Sequence, residues 1–179
     1  AATDDNTDLD ASATAHGLCP KLSGVATDYL DGTGAWSAPA AAAANGVTVT
    51  RSTAQSTTSG TQATISWDTE VGDDGGYWVV GSPTVLTVPT GKGGWYVLWG
   101  RVAWAAQLGG RRVAYLYVSG AQVAYLSDDS DTGDNIPRQT VSTVWKLAVG
   151  DTVTLQVLQN SGLAVNVEAN AALSLVRIG

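Results

Sequence analysis

One His and one Cys, His16 and Cys19, stand three residues apart in a segment that also holds Gly17 and Pro20. A Cys–His pair performs nucleophilic chemistry only when a fold holds the two side chains face to face. The surrounding sequence supplies no such fold, so Cys19 is expected to be a small apolar group at an interface. His16 could ligate a metal only where symmetry brings three copies together. The densest oxygen cluster is Asp128-Asp129-Ser130-Asp131-Thr132-Gly133-Asp134-Asn135. Asp128, Asp129, Asp131 and Asp134 are the ligand type that a hard cation such as calcium takes. The run lacks the Glu that completes an EF-hand loop, and its other reading is a solvated loop between strands. No other cofactor is expected. Glycoside hydrolysis needs two carboxyl groups at a defined separation. Glu70 and Glu168 are the only Glu residues, and no spacing among the carboxylates singles out an acid and a nucleophile. Gly91-Lys92-Gly93-Gly94 is followed by no helix, so it reads as a hairpin turn and not as a phosphate cradle. The expectation is a protein that is not an enzyme.

Composition narrows the partners. The chain has 179 residues, 44% hydrophobic and only 14% charged, against ~25% charged in typical soluble domains. A core can be built. The formal net charge of −7 is the wrong sign for a nucleic-acid partner. No apolar run approaches the ~18 residues of a membrane span, so no membrane insertion is expected. A lone Cys19 excludes an intrachain disulfide.

The elements that would position any site fall into two textures. Residues 1–46 are polar, acidic and Ala-rich, with sparse apolar positions at Leu18, Leu22, Val25, Tyr29, Leu30 and Trp36. Neither a helical nor a strand period fits them. Such an arm cannot bury enough surface alone to offset its ordering entropy. It needs sister chains or a larger particle. Residues 47–179 change to short Val/Thr/Trp/Tyr runs separated by Gly, Asp, Asn and Pro. The pattern predicts strands over 47–51, 63–67, 78–80, 84–88, 95–104, 112–118, 122–126, 140–147, 152–158, 165–167 and 174–178. Many short strands without a helix predict a sandwich or barrel. Strands 95–104 and 112–118 are apolar on both faces, which asks for cover on both sides and predicts an oligomer.

Several runs then carry a resemblance. Thr84-Val85-Leu86-Thr87-Val88-Pro89, the turn to Gly94 and Trp95-Tyr96-Val97 resemble the strand–turn–strand pattern of C1q/TNF-like jelly-roll domains. The acidic turn and aromatics of 68–78, the hairpin at Ser119-Gly120, Leu147-Ala148-Val149-Gly150-Asp151 and the closing Leu173–Ile178 follow in that family's order. The resemblance implies an all-β jelly-roll head over 47–179. Trp and Tyr would fill the core in place of the absent Phe.

The run from His16-Gly17 through Pro20-Lys21-Leu22, Ala26-Thr27-Asp28-Tyr29-Leu30 and Gly32-Thr33-Gly34-Ala35-Trp36 resembles bacteriophage tail-fibre and other virion surface proteins. This implies a virion location and a homotrimer. The arm would contact sister chains or other virion proteins through His16, Leu18, Leu22, Tyr29, Leu30 and Trp36. The implied role is a tail fibre or receptor-binding head that contacts a host-surface glycan or protein. The alternative is a trimeric decoration or cement protein of capsid or tail, with a glycan-degrading enzyme third. With no Phe and no Met, most Trp residues must fill the core. One exposed near the 75–78 or 106–112 loops would contact glycan, and Trp78, Arg111 and Arg112 are the candidates.

Overall fold

The computed structural model describes residues 29–30, 35–37, 46–107, 109–129 and 138–178. The chain divides into two units, Ala1–Ala43 and Ala44–Gly179. In the first, β1 (Tyr29–Leu30) and β2 (Trp36–Ser37) pair antiparallel, with Leu30 opposite Trp36. The sequence showed no strand period here. Two-residue strands are too short to establish one.

The second unit is all β. Its strands are β3 (Gly46–Thr50), β4 (Gln55–Thr57), β5 (Ala63–Thr64), β6 (Thr69–Asp73), β7 (Leu86–Thr87) and β8 (Gly94–Ala103). They continue with β9 (Arg111–Val118), β10 (Ala121–Asp129), β11 (Arg138–Leu147), β12 (Thr152–Gln159), β13 (Val165–Val167) and β14 (Ala172–Arg177). Sheet I runs β11-β8-β14-β3-β6. Sheet II runs β10-β9-β12-β5, with β7 also paired to β12, and β4 and β13 form a separate ribbon. The pairings are antiparallel. The chain crosses from one sheet to the other at β5–β6, β6–β7, β7–β8, β8–β9, β10–β11 and β11–β12. This is a jelly-roll sandwich.

Alternation places the core between the sheets. On β12, Val153, Leu155 and Val157 point inward and are fully buried, while Thr154 and Gln156 point outward. On β8, Tyr96, Leu98 and Val102 are fully buried, as is Trp104 just beyond its end. At about 25 cal/mol per Å² of apolar surface, such side chains dominate the stability. Gly100 interrupts their row because a Cβ there would stand 2.7 Å from Leu155 Cδ1. The Leu155 side chain fills the space a side chain at Gly100 would need, and would have to shift to admit one.

Polar groups tie the ends. The Asp73 carboxylate accepts from the backbone N–H groups of Gly76 (2.8 Å), Tyr77 (3.0 Å) and Trp78 (2.8 Å), turning Tyr77 and Trp78 into the core. The expected strand over 78–80 is not formed. Trp78 makes one isolated bridge to Leu86, and Val79 and Val80 are exposed. Strands β4 and β6 escaped the sequence reading. Gln55–Thr57 and Thr69–Asp73 are mostly polar stretches with no apolar alternation to mark them.

Candidate assembly and recognition surfaces

The outer face of Sheet I can be read row by row from its register. Val144, Val97 and Val176 share one row; Ser142, Trp99 and Ser174 the next; Thr140, Arg101 and Ala172 the third; Arg138 and Ala103 the last. Lys146 pairs with Trp95 at the opposite end, where the Ile178 N–H donates to the Trp95 carbonyl. The face is therefore graded, with apolar residues at one end and arginines at the other. Trp95, Val144, Val176 and Ile178 are 50% to 58% exposed, and Val97 and Trp99 lie half-buried between them. Each such side chain would gain ~1–2 kcal/mol on full burial. A contiguous exposed apolar patch is a candidate contact surface.

Sheet II has a different outer face. Tyr115 stacks between Tyr117 and Tyr125, at ring-centroid distances of 6.1 and 6.2 Å. Gln62 Nε2 donates to Tyr117 Oη (2.9 Å) and to Gln156 Oε1 (2.8 Å), and Gln156 Nε2 donates to Thr154 Oγ1 (3.3 Å). The tyrosines cover one another, which answers for β9 the need for a second cover. Tyr125 remains 62% exposed. Aromatic faces flanked by amide and hydroxyl groups can stack on a ligand and hydrogen-bond it at once.

The ladder depends on an irregularity. The Ser119-Gly120 turn has both residues at positive φ, 46° and 82°, closing a two-residue hairpin between Val118 and Ala121. Register then slips between Gln122 and Ala124, so that Tyr125 faces Tyr115. Without this bulge at Val123, strict alternation would set Ala124 there and turn Tyr125 to the other face.

Of the expected receptor contacts, two are corrected. Arg112 is 0% exposed and Trp78 only 8%. Arg112 donates from Nη1 to the carbonyls of Gly109 (3.2 Å) and Arg111 (3.4 Å), and from Nη2 to that of Gln107 (3.4 Å). Its guanidinium lies 5.7 Å from the Trp104 ring. Trp104 Nε1 donates to Gln139 Oε1 (2.9 Å), and Gln139 Nε2 donates to the Arg112 carbonyl (2.9 Å). Burial pushes the Arg112 pKa down from its ordinary value. Arg112 therefore holds the sandwich end together. Arg111 is exposed, one position along, on the face of the tyrosine ladder.

His16, Leu18 and Leu22 lie outside the described residues, as do Asp131 and Asp134. Tyr29, Leu30 and Trp36 form the small hairpin. Asp128 and Asp129 are exposed at the end of β10. As neighbours on a strand they point to opposite faces and do not converge on one ion. Among the described residues no three His, Cys, Asp or Glu groups could hold a metal. The Sheet I patch and the Tyr ladder were missed as sites. The double-faced apolarity of β8 was the available signal for the first.

No family model matches the sequence, and no curated protein matches it. Solved structures do match the fold. Murine APRIL at pH 5.0 superimposes with TM-score 0.59 at 15% identity, covering 75% of this chain and 99% of that one. Murine APRIL at pH 8.5 gives TM-score 0.51 at 13% identity, with 75% and 100% covered. The chain has a TNF-like jelly roll. The globular domain of zebrafish complement 1qA protein aligns at TM-score 0.49 and 16% identity, over 75% of this chain and 96% of its own. In the jelly roll described here, the graded face and the tyrosine ladder lie on the outer sides of opposite sheets.

Proposed function

We propose that this chain is a non-enzymatic binding module of a bacteriophage virion. Copies assemble as a homotrimer through the apolar end of the outer face of Sheet I, around Trp95, Val144, Val176 and Ile178, leaving its arginine end open. The tyrosine ladder and Arg111 then meet a host-surface glycan or protein, as in a tail fibre or receptor-binding head. The observation that carries this reading is the contrast between the two outer faces. One is apolar enough to require a protein cover, and the other offers aromatic faces with hydrogen-bonding neighbours. The resemblance of His16–Trp36 to virion proteins supports a virion location.

Light scattering on the full chain should give three times the chain mass of 18.3 kDa. A single-chain mass at micromolar concentration would sink the assembly claim. Labelled protein should adsorb to host cells and lose adsorption on Tyr115→Ala with Tyr125→Ala. Weak single sites suffice, since linked sites add ~10²–10⁴ in avidity. Binding to undecorated capsids without cell adsorption would replace the receptor role by a decoration role.

A further inference from the structure

The cationic end of the Sheet I face holds a cleft of about 270 Å³ lined by Arg101, Ala103, Arg138, Ala169 and Asn170. Arg101 and Arg138 occupy outward positions in adjacent rows of neighbouring strands, because Arg138 pairs with Ala103 and Thr140 with Arg101. Both are exposed. The two arginines are diagonal neighbours, about 7–8 Å apart along the ladder, within reach of each other's long cationic side chains, which repel. Neither arginine has an acidic partner among the described residues. Two neighbouring cations without a carboxylate beside them among the described residues stand out in a chain with a net charge of −7, in which carboxylates outnumber cations.

Arg101 is held in position. Its Nε and Nη2 donate to the Asn170 carbonyl at 3.2 and 2.8 Å, and its guanidinium carbon lies 5.9 Å from the Trp99 ring centroid. Asn170 sits at φ 71° in the turn before β14. Its N–H donates to the Arg51 carbonyl (2.7 Å), and the Arg51 N–H donates to the Ala171 carbonyl (3.0 Å). The turn is thus pinned from two sides, and the guanidinium is pinned to the turn. A guanidinium carries five N–H donors, so Arg101 keeps three without a protein acceptor among the described residues. Arg138 keeps all of its own.

We infer that the cleft between Arg101 and Arg138 binds a small oxyanion, the size of a single acidic sugar residue. Two planar forks match the two oxygens of a carboxylate or the edge of a phosphate. One fork is preorganised by Asn170 and the other is free to close. The anion removes the repulsion between the arginines. The small apolar walls, Ala103 and Ala169, leave room for the body that carries it.

The test is a titration of the isotope-labelled full chain, followed through the arginine side-chain N–H resonances. Glucuronate and inorganic phosphate are the two probes at low ionic strength, with glucose as the neutral control. Both Arg101 and Arg138 resonances should shift saturably with at least one probe and not with glucose. Glucuronate alone would assign the cleft to carboxylates; phosphate alone, to phosphoryl groups. Either affinity should fall with added salt. Arg138→Ala should weaken it about tenfold or more, and Arg138→Lys should not restore it. A thermal melt of Arg138→Ala unchanged from wild type would show the loss is local. Absence of saturable shifts with both probes, or wild-type affinity in Arg138→Ala, would overturn the inference. The site lies within one chain and does not rest on the trimer. Val176→Glu should keep the titration even where it breaks assembly, so the two claims fail separately.

Discussion

The outer faces of the two sheets are made from similar strands and do opposite things. Both β8 and β9 put apolar or aromatic side chains outward. On β9, Tyr115 and Tyr117 find partners in Tyr125, Gln62 and Gln156 within the same chain. On β8, Trp99 has Ser142, Ser174 and the Arg101 guanidinium beside it, but Trp95 and Val97 lie among Val144, Val176 and Ile178, and among the described residues that end of the face stays open. The lesson is that double-sided apolarity on a strand does not by itself mean an interface. What separates the two cases is whether polar atoms on neighbouring strands can finish the surface. Tyrosine can be finished, because its hydroxyl is satisfied by Gln62; valine cannot.

Charge on the open face should break the comparison most sharply. Val176→Glu places a carboxylate where a sister chain would seat, and a buried unpaired charge is among the costliest changes known. The expected result is a single-chain mass by light scattering with an unchanged melt of the monomer. A glutamate on the other face, Tyr125→Glu, should leave the mass alone. A trimer surviving Val176→Glu would mean this face is not the seam.

Next in size is a test inside one strand. Arg112→Ala removes a buried guanidinium from the Gly109, Gln107 and Arg111 carbonyls and from the Trp104 ring. It should cost about 3 kcal/mol in chemical denaturation. Arg111→Ala, one residue away and exposed, should stay within about 0.5 kcal/mol. Equal effects would show that the burial contrast between the two positions is wrong.

Smaller still is the ladder itself. Tyr125→Ala should cost about 1 kcal/mol or less, because one aromatic contact is lost at a surface position. Calorimetry would detect it, and cell adsorption would fall while oligomer mass held. Stability unchanged together with adsorption unchanged would leave the ladder without a role.

The smallest effect is a pH dependence at the Sheet I edge. Burial raises the Asp68 pKa, but donation from Ser52 N–H and from the Thr69 and Ser52 hydroxyls, with the Arg51 charge, outweighs it and lowers the pKa below 3.8. A lowered folded value means the contribution is complete above the ordinary value. It is lost as pH falls through the folded value. Denaturant melts of wild type and Asp68→Asn should therefore differ at pH 6, and the difference should shrink as pH falls below the ordinary carboxylate range. A constant difference across that range would remove Asp68 as the cause.

Much of the second unit was legible because its strands alternate. Val153, Leu155 and Val157 marked the inward face of β12, and the Ser119-Gly120 pair marked a tight hairpin. The site residues were less legible. Trp78 and Arg112 carry the side chains of ligand contacts, and nothing local says that Asp73 turns one inward or that Trp104 and Gln139 enclose the other. Strands β4 and β6 carried no apolar period to read.

By itself the sequence determined the all-β character of the second unit and showed a change of texture near residue 46. Those follow from periodicity and residue type, which are local. Tertiary structure alone decided which face each residue serves. A single bulged residue, Val123, brings Tyr125 opposite Tyr115. The register of β8 with β11 brings Arg101 and Arg138, far apart in sequence, to one cleft. Side-chain direction along a strand has period two, so any long-range slip of one residue exchanges inside for outside, and no local pattern records that slip.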